Sequence, residues 1–138
     1  MSDLLKEARC IVVKTGSALI ADGDGQPRLD WLSRLTADIA VWRVGGRKVL
    51  LVSSGAIALG RSTLPSQAMR RLDGKQAAAA IGQPLLMGAL SRAFEAEGLT
   101  IAQSLLTLED TEHRRRWLNA RATLSVLLDA GAIPVINE

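Results

Sequence analysis

A lysine and a serine-glycine pair, each placed directly after a short apolar run, are the residues of this chain whose types and spacing could do chemistry. Residues 10–13 lead into Lys14-Thr15-Gly16-Ser17, and residues 49–52 lead into Ser53-Ser54-Gly55-Ala56. A lysine beside a glycine offers a cation and an approachable backbone, with Ser17 adding a hydroxyl and an amide for a phosphate oxygen. A serine beside a glycine at a helix start offers a hydroxyl and unpaired amides to a carboxylate. In open α/β sheets ligands bind at the carboxyl ends of strands, where both loops fall. Each motif also has a plainer reading, a solvated strand-end lysine in one case and an ordinary N-cap in the other. The glycine-to-lysine spacing of a P-loop is absent. A third apolar run, residues 132–136, ends at Asn137-Glu138, and an amide there could hold a substrate ammonium or carboxylate.

Other polar clusters point away from chemistry. His113-Arg114-Arg115-Arg116 opens a helical pattern and reads as a solvated face rather than a nucleic-acid patch. His113 has no cysteine or second histidine with which to share a metal, so no metal ligand is assigned. It is also a poor general base for Cys10 or Ser54, which removes hydrolase readings.

The elements that must position the two loops follow from periodicity. Residues 10–13 and 49–52 are continuous apolar runs, the pattern of strands covered on both faces of a parallel sheet. Between them, residues 21–27 form a turn-rich exposed connection, and Leu29, Leu32, Leu35, Ile39 and Trp42 recur at helical spacing before Gly45-Gly46. Residues 54–60 read as a turn entering a helix, and residues 64–71 as a surface loop. A long helix is expected over about 74–97, with a break or kink at Pro84 and a stop at Gly98. Its first half, Gln76-Ala77-Ala78-Ala79-Ala80-Ile81-Gly82, is either a plain high-propensity helix or a place of close backbone approach. Residues 100–106 give a third strand, and Trp117, Ala120, Leu124, Leu127 and Leu128 mark an amphipathic helix ending at Gly131. Strand and helix alternate, as in an α/β layer fold.

Composition is consistent with that class. The chain has 138 residues, 48% of them hydrophobic, enough for a sizeable core. A formal charge of +3 is a weak argument for nucleic acid. The single cysteine, Cys10, lies inside an apolar strand, so a disulfide framework is impossible within the chain and a reducing cytoplasm is the expected location. No apolar run approaches the roughly 20 residues of a membrane helix.

Taken together, Val12-Val13-Lys14-Thr15-Gly16-Ser17-Ala18-Leu19, Leu51-Val52-Ser53-Ser54-Gly55-Ala56-Ile57-Ala58-Leu59-Gly60, Gly74-Lys75-Gln76-Ala77-Ala78-Ala79-Ala80-Ile81-Gly82-Gln83, Leu118-Asn119-Ala120-Arg121-Ala122-Thr123-Leu124 and Pro134-Val135-Ile136-Asn137-Glu138 resemble the glutamate 5-kinase branch of the amino-acid kinase family. The resemblance implies a three-layer α/β/α sandwich with a mainly parallel sheet. It implies transfer of the γ-phosphoryl of ATP, with Mg²⁺, to the side-chain carboxylate of L-glutamate, giving the acyl phosphate that begins proline biosynthesis. By the same resemblance Lys14 contacts the transferring phosphoryl group, Gly16 and Ser17 line the phosphate path, and Ser54, Gly55 and Asn137 hold glutamate. Thr15 departs from the family's usual aliphatic residue, and Ala18 from a small hydroxyl residue in some members.

The resemblance also implies that residues 1–138 are the amino-terminal, substrate-binding part of the kinase domain. The nucleotide-binding half and any PUA-type domain are expected in sequence beyond it, so these residues alone are expected to form no acyl phosphate. The sheet is expected to keep an open edge and apolar faces. Homo-oligomers and inhibition by proline are common in the family, and neither a membrane nor a nucleic acid is an expected partner. Two other readings stay open: another amino-acid kinase, of acetylglutamate or aspartate type, and a non-catalytic amino-acid-binding or regulatory module.

Overall fold

A computed structural model describes residues 3–106 and 108–137. Four parallel strands, β1 (Cys10–Thr15), β2 (Lys48–Ser53), β3 (Ile101–Ser104) and β4 (Ile133–Asn137), form one sheet in the order β1-β2-β4-β3. The helices are α1 (Asp3–Glu7), α2 (Ser17–Ile20), α3 (Leu29–Val44), α4 (Ala56–Gly60), α5 (Leu72–Ala96), α6 (Leu108–Glu112) and α7 (Arg114–Asp129). Two 3-10 turns, Arg61–Thr63 and Ala68–Arg70, join α4 to α5.

Strand order and handedness assign the layers. Passing from β1 to β2 and from β2 to β3 moves across the sheet in one direction, whereas passing from β3 to β4 moves back. Right-handed crossovers therefore place α3 and α5 on one face and α7 on the other. Packing agrees, since α3 lies against α5 and β2 while α7 lies against β2 and β4. The expected α/β/α sandwich is present.

The α3/α5 side holds the core: Val49, Leu51, Ile133 and Val135 of the sheet meet Leu32, Ile39, Leu86, Leu90 and Phe94. On α5 the buried residues Gly74, Ala78, Gly82, Leu86, Leu90 and Phe94 recur every four positions, the stripe that an amphipathic helix turns inward. By contrast, α7 has no buried residue.

Several expectations are corrected. Cys10 is exposed rather than enclosed, because the alternate residues Cys10, Val12 and Lys14 face away from the core, on the side where α7 packs over β2 and β4. Val12 is 61% exposed, so the both-faces-covered pattern does not hold for this strand. Pro84 does not break α5, which runs through it as one helix of 25 residues. Proline deprives the Ala80 carbonyl of its usual partner, but both residues are exposed, so solvent can satisfy that group. The third strand stops at Ser104, and α6, unforeseen from periodicity, precedes α7.

Candidate active site at the carboxyl ends of the strands

Register brings the two motif loops side by side. Thr15 of β1 pairs with Ser53 of β2, and Ser53 pairs with Asn137 of β4, so the three strands end in one row. Thr15 and Ser53 are buried there, and the Thr15 hydroxyl donates to Ser53 Oγ at 3.2 Å. That bond gives the departure at Thr15 a structural use.

Ser54 is not the N-cap that its position beside a helix suggested. Its hydroxyl donates to the Thr15 carbonyl at 3.0 Å, and its amide donates to the same oxygen at 3.2 Å. Gly55 takes the cap position of α4 instead, and no side chain caps that helix. Gly55 has φ +130, and a Cβ there would lie 3.0 Å from Ile20 Cγ2, so both conformation and space call for glycine. The Ser54-Gly55 turn is thus tied to β1 on one side and seated on α2 on the other.

Helix α4 is fixed in turn by α5. A Cβ on Gly60 would fall 1.9 Å from the Ala78 carbonyl oxygen, and one on Gly82 would fall 1.6 Å from that of Ala56. No side chain fits in that space. The small-residue run in α5 is therefore a close-approach surface, which settles the open alternative against a plain high-propensity helix.

A cleft of about 870 Å³ opens above this frame. Ser17, Ser54, Gly55 and Asn137 all line it, so four of the expected site residues converge on one space. Glu138 lies outside the described residues. Lys14 and Gly16 do not line the cleft. Lys14 sits one register step before Thr15, on the opposite face of the sheet, and is exposed. Gly16 has an ordinary φ of −78, and a Cβ on it would meet nothing within 4 Å. The chain itself does not require glycine there, and the space beside it is open for a ligand to approach.

Sequence reasoning missed Arg61 and Asp24, the charged residues among those lining the cleft. Arg61 follows Gly60 at the end of α4, and its guanidinium donates to the Gly23 carbonyl at 3.0 Å. Its place directly after the Ser-Ser-Gly helix was the available signal. Asp24 lies in the turn 21–27, whose polar composition looked merely solvent-facing.

A sequence model of the amino acid kinase family matches residues 9–138. Glutamate 5-kinase of Caulobacter vibrioides (strain NA1000 / CB15N) is 53% identical over 133 residues, covering 95% of this chain and 35% of that protein. Glutamate 5-kinase 1 of Mesorhizobium japonicum is 54% identical over 135 residues, covering 97% and 36%. Glutamate 5-kinase of Novosphingobium aromaticivorans is 50% identical over 142 residues, covering 100% and 38%. The chain thus spans little more than a third of the length of these curated relatives. A solved structure of isopentenyl phosphate kinase superposes with a TM-score of 0.59 at 16% identity, covering 93% of this chain and 56% of that one. At that identity the likeness speaks for the fold alone.

Proposed function

The chain belongs to the amino acid kinase family, and from that premise we propose that residues 1–138 form the amino-terminal, substrate-binding part of a glutamate 5-kinase. The reaction is ATP-dependent phosphorylation of the side-chain carboxylate of L-glutamate, the entry to proline biosynthesis. The observation that carries this reading is the convergence of Ser17, Ser54, Gly55 and Asn137 on one cleft at the carboxyl ends of the strands.

The chemistry suits such a frame. A carboxylate is already ionised near pH 7, so the nucleophile needs no general base, and the reaction rests on alignment and charge stabilisation. Ser54, Gly55 and Asn137 hold and orient glutamate in the cleft. ATP supplies the phosphoryl group, and the open space beside Gly16 fits its approach. The reading assigns to Lys14, exposed near the end of β1 and outside the cleft lining, the negative charge that develops on the transferring group, and to Gly16 and Ser17 the path beside it. Among the described residues no group of three or more His, Cys, Asp or Glu side chains could hold a metal ion. Magnesium needs only one or two carboxylates beside phosphate oxygens and water, and would enter with the phosphates of ATP to offset their charge.

Among the described residues no helix is long and apolar enough to cross a membrane. A cytoplasmic location, a homo-oligomer and inhibition by proline are parts of the same proposal. The test is trapping of acyl phosphate with hydroxylamine, using a full-length kinase that carries this chain and supplying ATP with glutamate, aspartate, acetylglutamate or carbamate. Hydroxamate is expected with glutamate. Turnover of another acceptor in its place would move the chain to a different branch, and no product with any acceptor would favour a binding or regulatory module.

A further inference from the structure

The turn 21–27 forms one wall of the cleft and is rigid within itself. Asp22 Oδ1 accepts hydrogen bonds from the amides of Asp24 at 2.9 Å and Gln26 at 2.8 Å. The Asp22 amide donates to the Gln26 carbonyl at 2.9 Å, and Ala21 bridges to Pro27. A carboxylate that satisfies two local amides makes such a turn a preformed unit. What places this unit over the cleft is a separate matter.

Docking onto the α4 region rests on two features. One is the Arg61 guanidinium donating to the Gly23 carbonyl across 38 residues of sequence. The other is Gly25, buried at φ +76, where a Cβ would stand 3.0 Å from the Ala58 carbonyl oxygen. Gly23, Ala58 and Arg61 all line the cleft, as do Asp24 on the turn and Ser54 on the opposite loop. The α4 end of this attachment is itself closely packed, because Gly60, adjacent to Arg61, is pressed against α5.

We propose that Arg61 is a positioning residue, whose bond to the Gly23 carbonyl holds the turn 21–27 as the closed wall of the glutamate cleft. The inference rests on the functional reading above. Arg61 acts through the turn, so its loss should weaken glutamate binding while leaving the core intact. Arginine suits the task because its planar fork can hold a carbonyl at a fixed direction, whereas lysine offers the charge on a more flexible stem.

The test is a calorimetric titration with L-glutamate of a full-length kinase carrying this chain, for the parent, Arg61→Ala, Arg61→Lys and Gly25→Ala. Arg61→Ala is expected to raise the dissociation constant about tenfold, and Arg61→Lys to recover part of that loss. Gly25→Ala, which pushes the turn away through a different contact, should weaken binding in the same direction. Amide exchange at Gly25 and Gln26 should accelerate in Arg61→Ala, with the thermal midpoint of unfolding unchanged. Glutamate binding by the parent with an equal affinity for Arg61→Ala would overturn the positioning role alone. A parent that binds no glutamate would overturn the functional reading and this inference with it. A midpoint that falls in step with affinity would mark Arg61 as structural.

Discussion

The loop after β2 and the loop after β1 leave the sheet from the same register row, yet one is fastened on every side and the other is open. Ser54 is bonded twice to the Thr15 carbonyl, Gly55 is seated on Ile20, and the helix that follows is locked through Gly60 and Gly82. Lys14 and Gly16, by contrast, are exposed, and Gly16 has nothing of the chain near its Cβ position. The difference matches two tasks. A loop that discriminates a small acid gains from preorganisation, whereas one that faces a transferring phosphoryl group needs a cation and room. Rigidity at the first loop and charge at the second should then be separable by mutation.

The largest effect should come from the clamp beneath the fastened loop. Gly82→Ala is expected to lower stability by about 3 kcal/mol or more, because the added methyl meets the Ala56 carbonyl at 1.6 Å. The same change at an exposed helical site would stabilise by about 1 kcal/mol, so the sign of the shift in a urea unfolding midpoint checks the close approach. Next comes Lys14→Ala in a full-length kinase carrying the chain. Turnover should fall by about 100-fold or more, with the KM for glutamate nearly unchanged. An unchanged turnover number would remove Lys14 from the phosphoryl contact.

Smaller effects sharpen the contrast. Ser54→Ala loses the side-chain bond to Thr15, expected to reduce stability by about 1 kcal/mol and also to weaken glutamate binding. Gly16→Ala should leave stability within about 0.5 kcal/mol, since its φ is ordinary and the space is open. A large loss of stability there would mean that both loops are fastened alike.

The elements that carry this contrast were legible in the sequence, and the contrast itself was not. The strand-loop pairs and the alternation of strand and helix follow from apolar runs and helical spacing, and the long α5 from a helix-forming run that ends before Gly98. The layering of the sheet needed strand order, which periodicity does not carry; hence Cys10 and Val12 looked enclosed although α7 packs over β2 and β4 on their side. Ser54 looked like an N-cap because serine before a helix usually is one, and only the adjacent strand supplies the Thr15 carbonyl that captures its hydroxyl. The small residues of α5 could have served propensity or close approach, and the choice depended on a partner helix about 20 residues earlier. Arg61 escaped notice for the same reason, since its partner Gly23 lies 38 residues away.

The central claim is that the fastened loop and its cleft hold glutamate. A titration with L-glutamate of a full-length kinase carrying this chain, isotopically labelled within residues 1–138 and followed by amide NMR, tests it directly. Saturable shifts centred on Ser17, Ser54, Gly55 and Asn137, with the distant ends of α5 and α7 unmoved, are the predicted result. Shifts confined to another surface, or none at millimolar glutamate with the fold intact, would contradict it.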